Sequence, residues 1–579
     1  MKKILRKEKT LCYLLILFSS MILCMPLLNS QIDMTYDDGI QHICRLMGTW
    51  QSIEEGQPFA VIMSEFCNGF GYSWNIFYSP LTAFFPLIFH LIGANFTICI
   101  KIFLWLCTFL SGIFMFQFVQ KVTRNNKIGI IAAIIYIFVP YRLTDMYIRN
   151  ALAEYTTFVF FPLVFDGLYT LFHKKNKWGY KLTLGAVGLI LTHTVITMYM
   201  AIFALLYVLI NVRKLKQIVI WKKLAIHVIL ILAITAFFWV PLLEHALATN
   251  YEVFMPGRME RNDANFGVDI LSLFFTSKDN SMIFELGFVT IMGLLLCIPV
   301  IKKWRKHKKN SIYALYIFSL IAGLISIIMS LDIFPFAMLP GILKMLQFPF
   351  RMLTFASFFL SLVVAINIGI IAKKIKTQDI IIVLVACATI AIALSSHAHY
   401  LEEEFDENKL WPAIPVTENT GRVHAGCATF EYLPSKAFEN LEYIKTRESG
   451  TKILEGSAQI ENEHKEGSKA EFDIQYVLST TKIELPYIYY LGYIVTLESD
   501  GNKEELTTYE TENGFIGITL PVMEKGHILV EYKGTVAMYV STIISSIAVI
   551  LSLVVGIYMH YWKTKKQGGL YANKTSKSK

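Results

Sequence analysis

The chain has 579 residues, of which 55% are hydrophobic, 14% aromatic and only 17% charged, and its formal net charge is +9. Soluble globular chains carry about 25% charged and about 45–50% apolar residues. This composition therefore excludes a soluble enzyme, a disordered chain and a nucleic-acid-binding protein, and nine cysteines are too sparse for a disulfide scaffold. A polytopic α-helical membrane protein remains.

A membrane-crossing helix takes about 20 mostly apolar residues, and about twelve such segments are legible. The first, 11–30, follows a basic N-terminus. It reads as an uncleaved span that starts in the cytoplasm, because its apolar stretch is long and no small-residue cleavage site follows it cleanly. Residues 76–120 decide the topology. Taken as two spans, they would put Lys121, Arg124 and Lys127 outside and invert every later loop. The short segment 79–93, with Pro80 and Pro86, instead suits an interfacial or half-inserted helix. With that choice the basic clusters at 121–127, 173–181, 213–223, 302–309, 373–376 and 563–566 all fall inside. The remaining spans are expected at 98–119, 128–142, 155–172, 180–194, 195–212, 223–242, 283–301, 311–330, 351–371, 379–396 and 536–562. Both termini are then cytoplasmic, and the membrane is the plasma membrane.

The expected organisation is a transmembrane core over 1–396 with external loops 31–97 and 143–154, an extracellular β-rich domain over 397–535, and a final span with a basic cytosolic tail over 536–579. The β-rich segment holds about twice as many acidic as basic residues. Its runs at 482–490, 515–520 and 527–532 alternate apolar and polar residues, and Asp500-Gly501 and Lys525-Gly526 read as turns.

Charge inside a bilayer is costly, so its placement carries information. Few charged residues lie mid-span; they collect at the outer rim and in the first two external loops. In the first loop, Asp37 and Asp38 open a run in which Ile40, Ile43, Met47 and Trp50 recur at helical spacing. Asp38, His42 and Arg45 share the polar face of that helix. A carboxylate beside an imidazole suits activation of an acceptor hydroxyl or a divalent cation, and Arg45 suits a phosphate. An N-cap on a solvated surface helix explains the same pattern. The second loop crowds Arg142, Asp145, Arg149 and Glu154 into a short connection, where catalysis and internal ion pairing at a helix start are equally open. Rim candidates are Lys101, which snorkelling also explains, His193, Glu244, His245, Arg258, Arg261 and Arg351. Arg351 suits a lipid-linked phosphate or a phospholipid headgroup. There is no phosphate-binding GxxxxGK[ST], no HExxH, no CxxC pair and no GxSxG, hence no signature of ATP-driven transport, zinc proteolysis or serine hydrolysis.

Read in order, Asp38-…-His42-…-Arg45, 69–81, Pro140-Tyr-Arg142 with Tyr147, Arg149 and Glu154, 238–244, Gln347-Phe-Pro-Phe-Arg351 and Glu431-Tyr-Leu-Pro434 resemble the GT-C superfamily of polytopic glycosyltransferases. More narrowly the chain resembles the YfhO-like group and the bacterial membrane proteins labelled 6-pyruvoyl-tetrahydropterin synthase-related; nothing in it points to pterin chemistry. The resemblance implies transfer of a sugar from a polyprenyl-phosphate donor to an envelope polymer or glycolipid acceptor at the outer face of the lipid bilayer. It implies Asp38 or Asp37 as catalytic base or metal ligand, Glu154 as an assisting acid, and Arg351 on the donor phosphate. His42, Arg45, Arg142, Arg149, Lys101 and His193 are the further substrate-binding candidates, and the cofactor is open, a divalent cation being compatible. Two other readings stay in view. A flippase for a lipid-linked sugar would show repeats and polar sites at mid-membrane, which are missing here. A non-catalytic assembly protein would use 397–535 as a binding module.

Overall fold

The computed structural model describes residues 2–29, 37–174, 177–255, 266–275, 282–304, 311–373, 378–402 and 430–576. Arg258 and Arg261 lie outside them. Among the described residues, seven helices are long and apolar enough to cross a membrane, or nine if each of two bent pairs counts as one span. The protein is thus polytopic and helical. The expected count of about twelve is not reached, because 180–194 and 195–212 form helices of 10 and 17 residues and 283–301 breaks into two of 8.

Helix α1 (Lys2–Cys24) precedes α2 (Gly39–Glu54), an amphipathic helix of the first loop. Next comes α3 (Leu81–His90), whose 10 residues are too few to span, as its two prolines led one to expect. Helix α4 (Phe96–Thr123) starts on an Asn95 cap that accepts from the Ile98 amide. It ends where Arg124 turns left-handed, and Asn125 then caps α5 (Asn126–Ile137), making a tight antiparallel pair. The chain bends by 49° before the helical stretch Pro140–Ile148. Pro140 removes a ladder amide there and disfavours helical backbone at Val139.

Helix α6 (Leu152–His173) is buried on all sides and forms the centre of the bundle. Helix α7 (Lys181–Ile190) lies against it at three glycines: Gly167 faces the Leu182 backbone, Gly185 faces Val164, and Gly188 faces the Phe160 ring. Helix α8 (Thr194–Ile210) follows, and α9 (Ile218–Ile234) bends by 68° into α10 (Ala236–Ala248). Helices α11 (Ser311–Ser330) and α12 (Met352–Ala372) pack together, α12 being as enclosed as α6. Helix α13 (Gln378–Glu402) and the last helix, α14 (Val536–Ser576), have mostly exposed apolar faces, as lipid contact requires.

Strands β1 (Lys452–Glu455), β2 (Gln459–Glu466), β3 (Lys469–Val477), β4 (Thr481–Ile488), β5 (Tyr493–Ser499), β6 (Asn502–Leu506), β7 (Tyr509–Glu510), β8 (Phe515–Leu520) and β9 (Met523–Tyr532) form two antiparallel sheets, ordered β1-β4-β8-β7 and β2-β3-β9-β5-β6. Asp500 and Gly501 take positive φ at the β5–β6 hairpin, as the turn requires. The expected turn at Lys525-Gly526 is overturned: both residues lie inside β9, paired with Gln475 and Ile474. A glycine inside a strand marked a close approach, here to Leu497, and not a reversal. The sheets share one apolar core with the first loop. Phe70, Tyr72, Trp74 and Phe77 pack with Ile483, Ile518, Val530 and Tyr251, and Tyr432 stacks on Phe77 at 5.6 Å.

Candidate functional site

Four chain segments meet at one end of the bundle. The Asp38 amide donates to the Arg149 carbonyl at 3.0 Å. This ties the start of α2 to the turn that precedes α6. Asp38 occupies the N-cap position of α2, yet its side chain makes no capping bond, so the carboxylate is not spent on the helix end. Asp37 beside it adopts a left-handed φ of 40°, a conformation that Asp tolerates better than most residues. Loss of surrounding water and then the Asp38 charge push its carboxyl up to about 6, against the pull of Arg149 and Arg351.

Glu154 is the hub. Its Oε1 accepts from the Tyr141 hydroxyl at 2.8 Å and the Thr354 hydroxyl at 2.7 Å. Its Oε2 takes Arg149 Nη1 at 2.9 Å and lies 3.3 Å from Arg351 Nε. Arg149 Nη1 also reaches Asp145 Oδ1 at 2.6 Å. Arg351 Nη1 donates to Gln347 Oε1 at 2.7 Å and to the Leu346 carbonyl at 3.1 Å. Each guanidinium lies over a ring, Arg149 on Phe350 and Arg351 on Phe348. Among the described residues the Nη2 atoms of Arg149 and Arg351 carry no hydrogen bond, so each arginine keeps donors for an anion. Both oxygens of Glu154 are thus engaged, and its carboxylate lies between the two guanidiniums of Arg149 and Arg351.

His193 caps α8 and lies within the electrostatic reach of Arg351, Glu154, Arg149 and His42. Tyr78 sits between the two imidazoles, 6.4 Å from each. Burial brings His42 down to about 4, only partly offset by Asp38, so its ring is neutral near pH 7.

Three expected binding residues do not join this cluster. Arg45 serves the chain itself: it donates to Asn75 Oδ1 at 2.9 Å and to the Tyr78 and Ser79 carbonyls at 3.0 and 3.1 Å. Its place on the polar face of α2 holds, but the partner is the loop that leads into α3. Arg142 is caged by Tyr136, Tyr155 and Phe158, with its guanidinium 4.7 Å from the Tyr155 ring centre. It is fully buried there. Lys101 donates to the Asn29 carbonyl at 2.9 Å, beside the end of α1. Of the other rim candidates, Glu244 accepts from Thr535 and His245 is buried within α10.

Tyr141, Thr354 and Gln347 join the cluster without being site candidates from the sequence, and for Asp145 the structure shows the ion pair, with Arg149. Thr354 stands three residues after Arg351, on the same face of one helical turn, which was the available signal. Among the described residues no group of three or more His, Cys, Asp or Glu is placed to hold a metal ion.

Residues 76–401 match the family described as 6-pyruvoyl-tetrahydropterin synthase related domain, a membrane protein. An uncharacterized protein of Lactococcus lactis subsp. cremoris (strain MG1363) is 25% identical, covering 96% of this chain and 96% of its own length.

Proposed function

We propose that this chain, which belongs to the 6-pyruvoyl-tetrahydropterin synthase related family of membrane proteins, is a glycosyltransferase that moves a sugar from a polyprenyl-phosphate donor to an envelope acceptor. The observation that supports this reading is the pair of guanidiniums, Arg149 and Arg351, spaced by Glu154 beside the carboxylates of Asp37 and Asp38. A lipid phosphate that leaves from a sugar needs fixed positive charge, and arginine supplies it with planar, directional donors. An acceptor hydroxyl needs a base, and a carboxyl poised about 6 suits that task near neutral pH.

In the proposed step the acceptor oxygen bonds to the anomeric carbon while the bond from that carbon to the phosphate oxygen breaks. The hydroxyl proton passes to Asp37 or Asp38. Polyprenyl phosphate departs with the electron pair, against Arg149 and Arg351. Glu154 acts as a positioning residue. An outer-face position for this cluster, where an acceptor in the envelope meets a donor held in lipid, is supported by the basic loops expected on the inside.

The test uses the full chain in vesicles with a sugar-labelled polyprenyl-phosphate donor and extracted envelope polymer or glycolipid. The expected result is release of polyprenyl phosphate with label joined to the acceptor, lost in the Asp37→Asn/Asp38→Asn double variant. Passage of the labelled lipid across the bilayer with no new glycosidic bond would replace the reading with transport.

A further inference from the structure

The connection between α11 and α12 is apolar where a loop in water would be polar. Residues 333–343 contain no charged side chain. Ile333, Met338 and Ile342 are 78%, 84% and 63% exposed, while Phe336 and Leu346 are buried in the same apolar core of the helix bundle as Phe355. The segment does not ride above the helices. The Tyr199 hydroxyl donates to the Leu343 carbonyl at 2.6 Å, and Tyr199 lies five residues past the start of α8 at Thr194. At ~1.5 Å per residue the Tyr199 Cα is about 7.5 Å along the helix from its first residue. A second strip runs alongside: Val268 pairs with Leu331 in a parallel bridge, so Ile270 and Leu271, both exposed, follow the same direction as Ile333. The charged cluster is adjacent, because Arg351 lies on Phe348 and bonds to the Leu346 carbonyl, at the end of this same connection.

We propose that residues 333–343, with Ile270 and Leu271, insert into the acyl layer of the phospholipid leaflet on the side of the charged cluster and form a lip beside Arg351. The bilayer is the occupant that fits. The connection leaves the last turns of α11, where Ile325 and Ile328 are exposed, and past the exposed Asp332 the apolar surface resumes at Ile333 beside that spanning helix. An exposed apolar surface of this kind marks a membrane or partner contact. Insertion does not depend on sugar transfer. If that reading also holds, the lip sets the headgroup level of the leaflet beside Arg351, where a lipid phosphate would arrive.

The test needs no activity assay. In the full chain, Cys387, the exposed cysteine among the described residues, and Cys427 are replaced by Ser. Met338→Cys or Ile342→Cys then carries an environment-sensitive fluorophore, with Asn502→Cys in β6 as the control. Vesicles are made of phosphatidylcholine and phosphatidylglycerol, with or without brominated acyl chains. The expected result is blue-shifted emission at 338 and 342 that brominated chains quench and aqueous iodide does not, with the reverse at 502. Quenching by iodide at 338 and 342 would place the lip in water and overturn the proposal. Protection from both quenchers would overturn it too, because protein and not lipid would then cover the lip. Failure of the transfer assay beside successful acyl-chain quenching would reject the enzymatic reading and leave the lip in place.

Discussion

Asp37 and Asp38 share one environment yet differ in what they offer. The Asp38 amide is committed to the Arg149 carbonyl, and the Asp37 carboxyl is pushed up to about 6, which in the proposed reaction suits a base near neutral pH. A base must be deprotonated to act, so if Asp37 is the base the rate rises with pH through about 6 and levels above it. Transfer assays from acid to neutral pH should show that inflection in the parent. Asp37→Asn should lose about 10²–10⁴ in rate together with the inflection; an unchanged profile would assign proton transfer elsewhere. Glu154 answers differently. Glu154→Gln removes the charge that spaces Arg149 and Arg351, and a misplacement of about 1 Å costs about 10²-fold. The expected outcome is a raised KM for the lipid donor and a lower kcat, with the pH inflection retained. Loss of the inflection would return Glu154 to proton transfer.

Helices α6 and α7 touch backbone to backbone at Gly167, where an added Cβ would lie 2.2 Å from the Leu182 amide nitrogen. Neither atom is the end of a flexible side chain, so one helix must move. Gly167→Ala should lower stability by about 1–3 kcal/mol, as overpacking does, seen as a lower midpoint of thermal inactivation in detergent. An unchanged midpoint would mean the helices separate at little cost. Much of this level was legible. Length and apolarity located α1, α4, α6, α11, α12 and α13, and two prolines marked 79–93 as too short to cross. Three strand runs, those of β4, β8 and β9, were read from alternation, and of these β4 and β8 are buried along nearly their whole length. The Lys525-Gly526 turn was misread because a glycine looks the same in a reversal and in a strand that a neighbouring side chain crosses closely.

The molecule is joined across its length by the core that the sheets share with the first loop, and Arg447 sits at the joint. It pairs with Glu484 at 3.2 Å, both side chains fully buried, between the rings of Phe70 and Phe515. Arg447→Ala removes the charge that compensates the buried Glu484 carboxylate, leaving it the neutral donors Tyr443, Thr511 and Asn513, and should cost about 3–5 kcal/mol. Because Phe70 belongs to the first loop, the loosening should reach 61–77, measured as faster limited proteolysis there; protection equal to the parent would make the sheets an independent body. From the order of residues alone came the membrane class, the helical core, the β-rich stretch before the last helix, and the candidates Asp37, Asp38, Arg149, Glu154, His193 and Arg351, since hydropathy and charge are local properties of a chain. Tertiary structure alone separated Arg142 and Arg45 from that group, paired Asp145 with Arg149, set Tyr141 and Gln347 as partners of Glu154 and Arg351, and added Thr354. Glu154 and Thr354 stand 200 positions apart. Spacing tells which side of a helix a residue occupies, but the neighbour waiting on that side is chosen by how the helices pack.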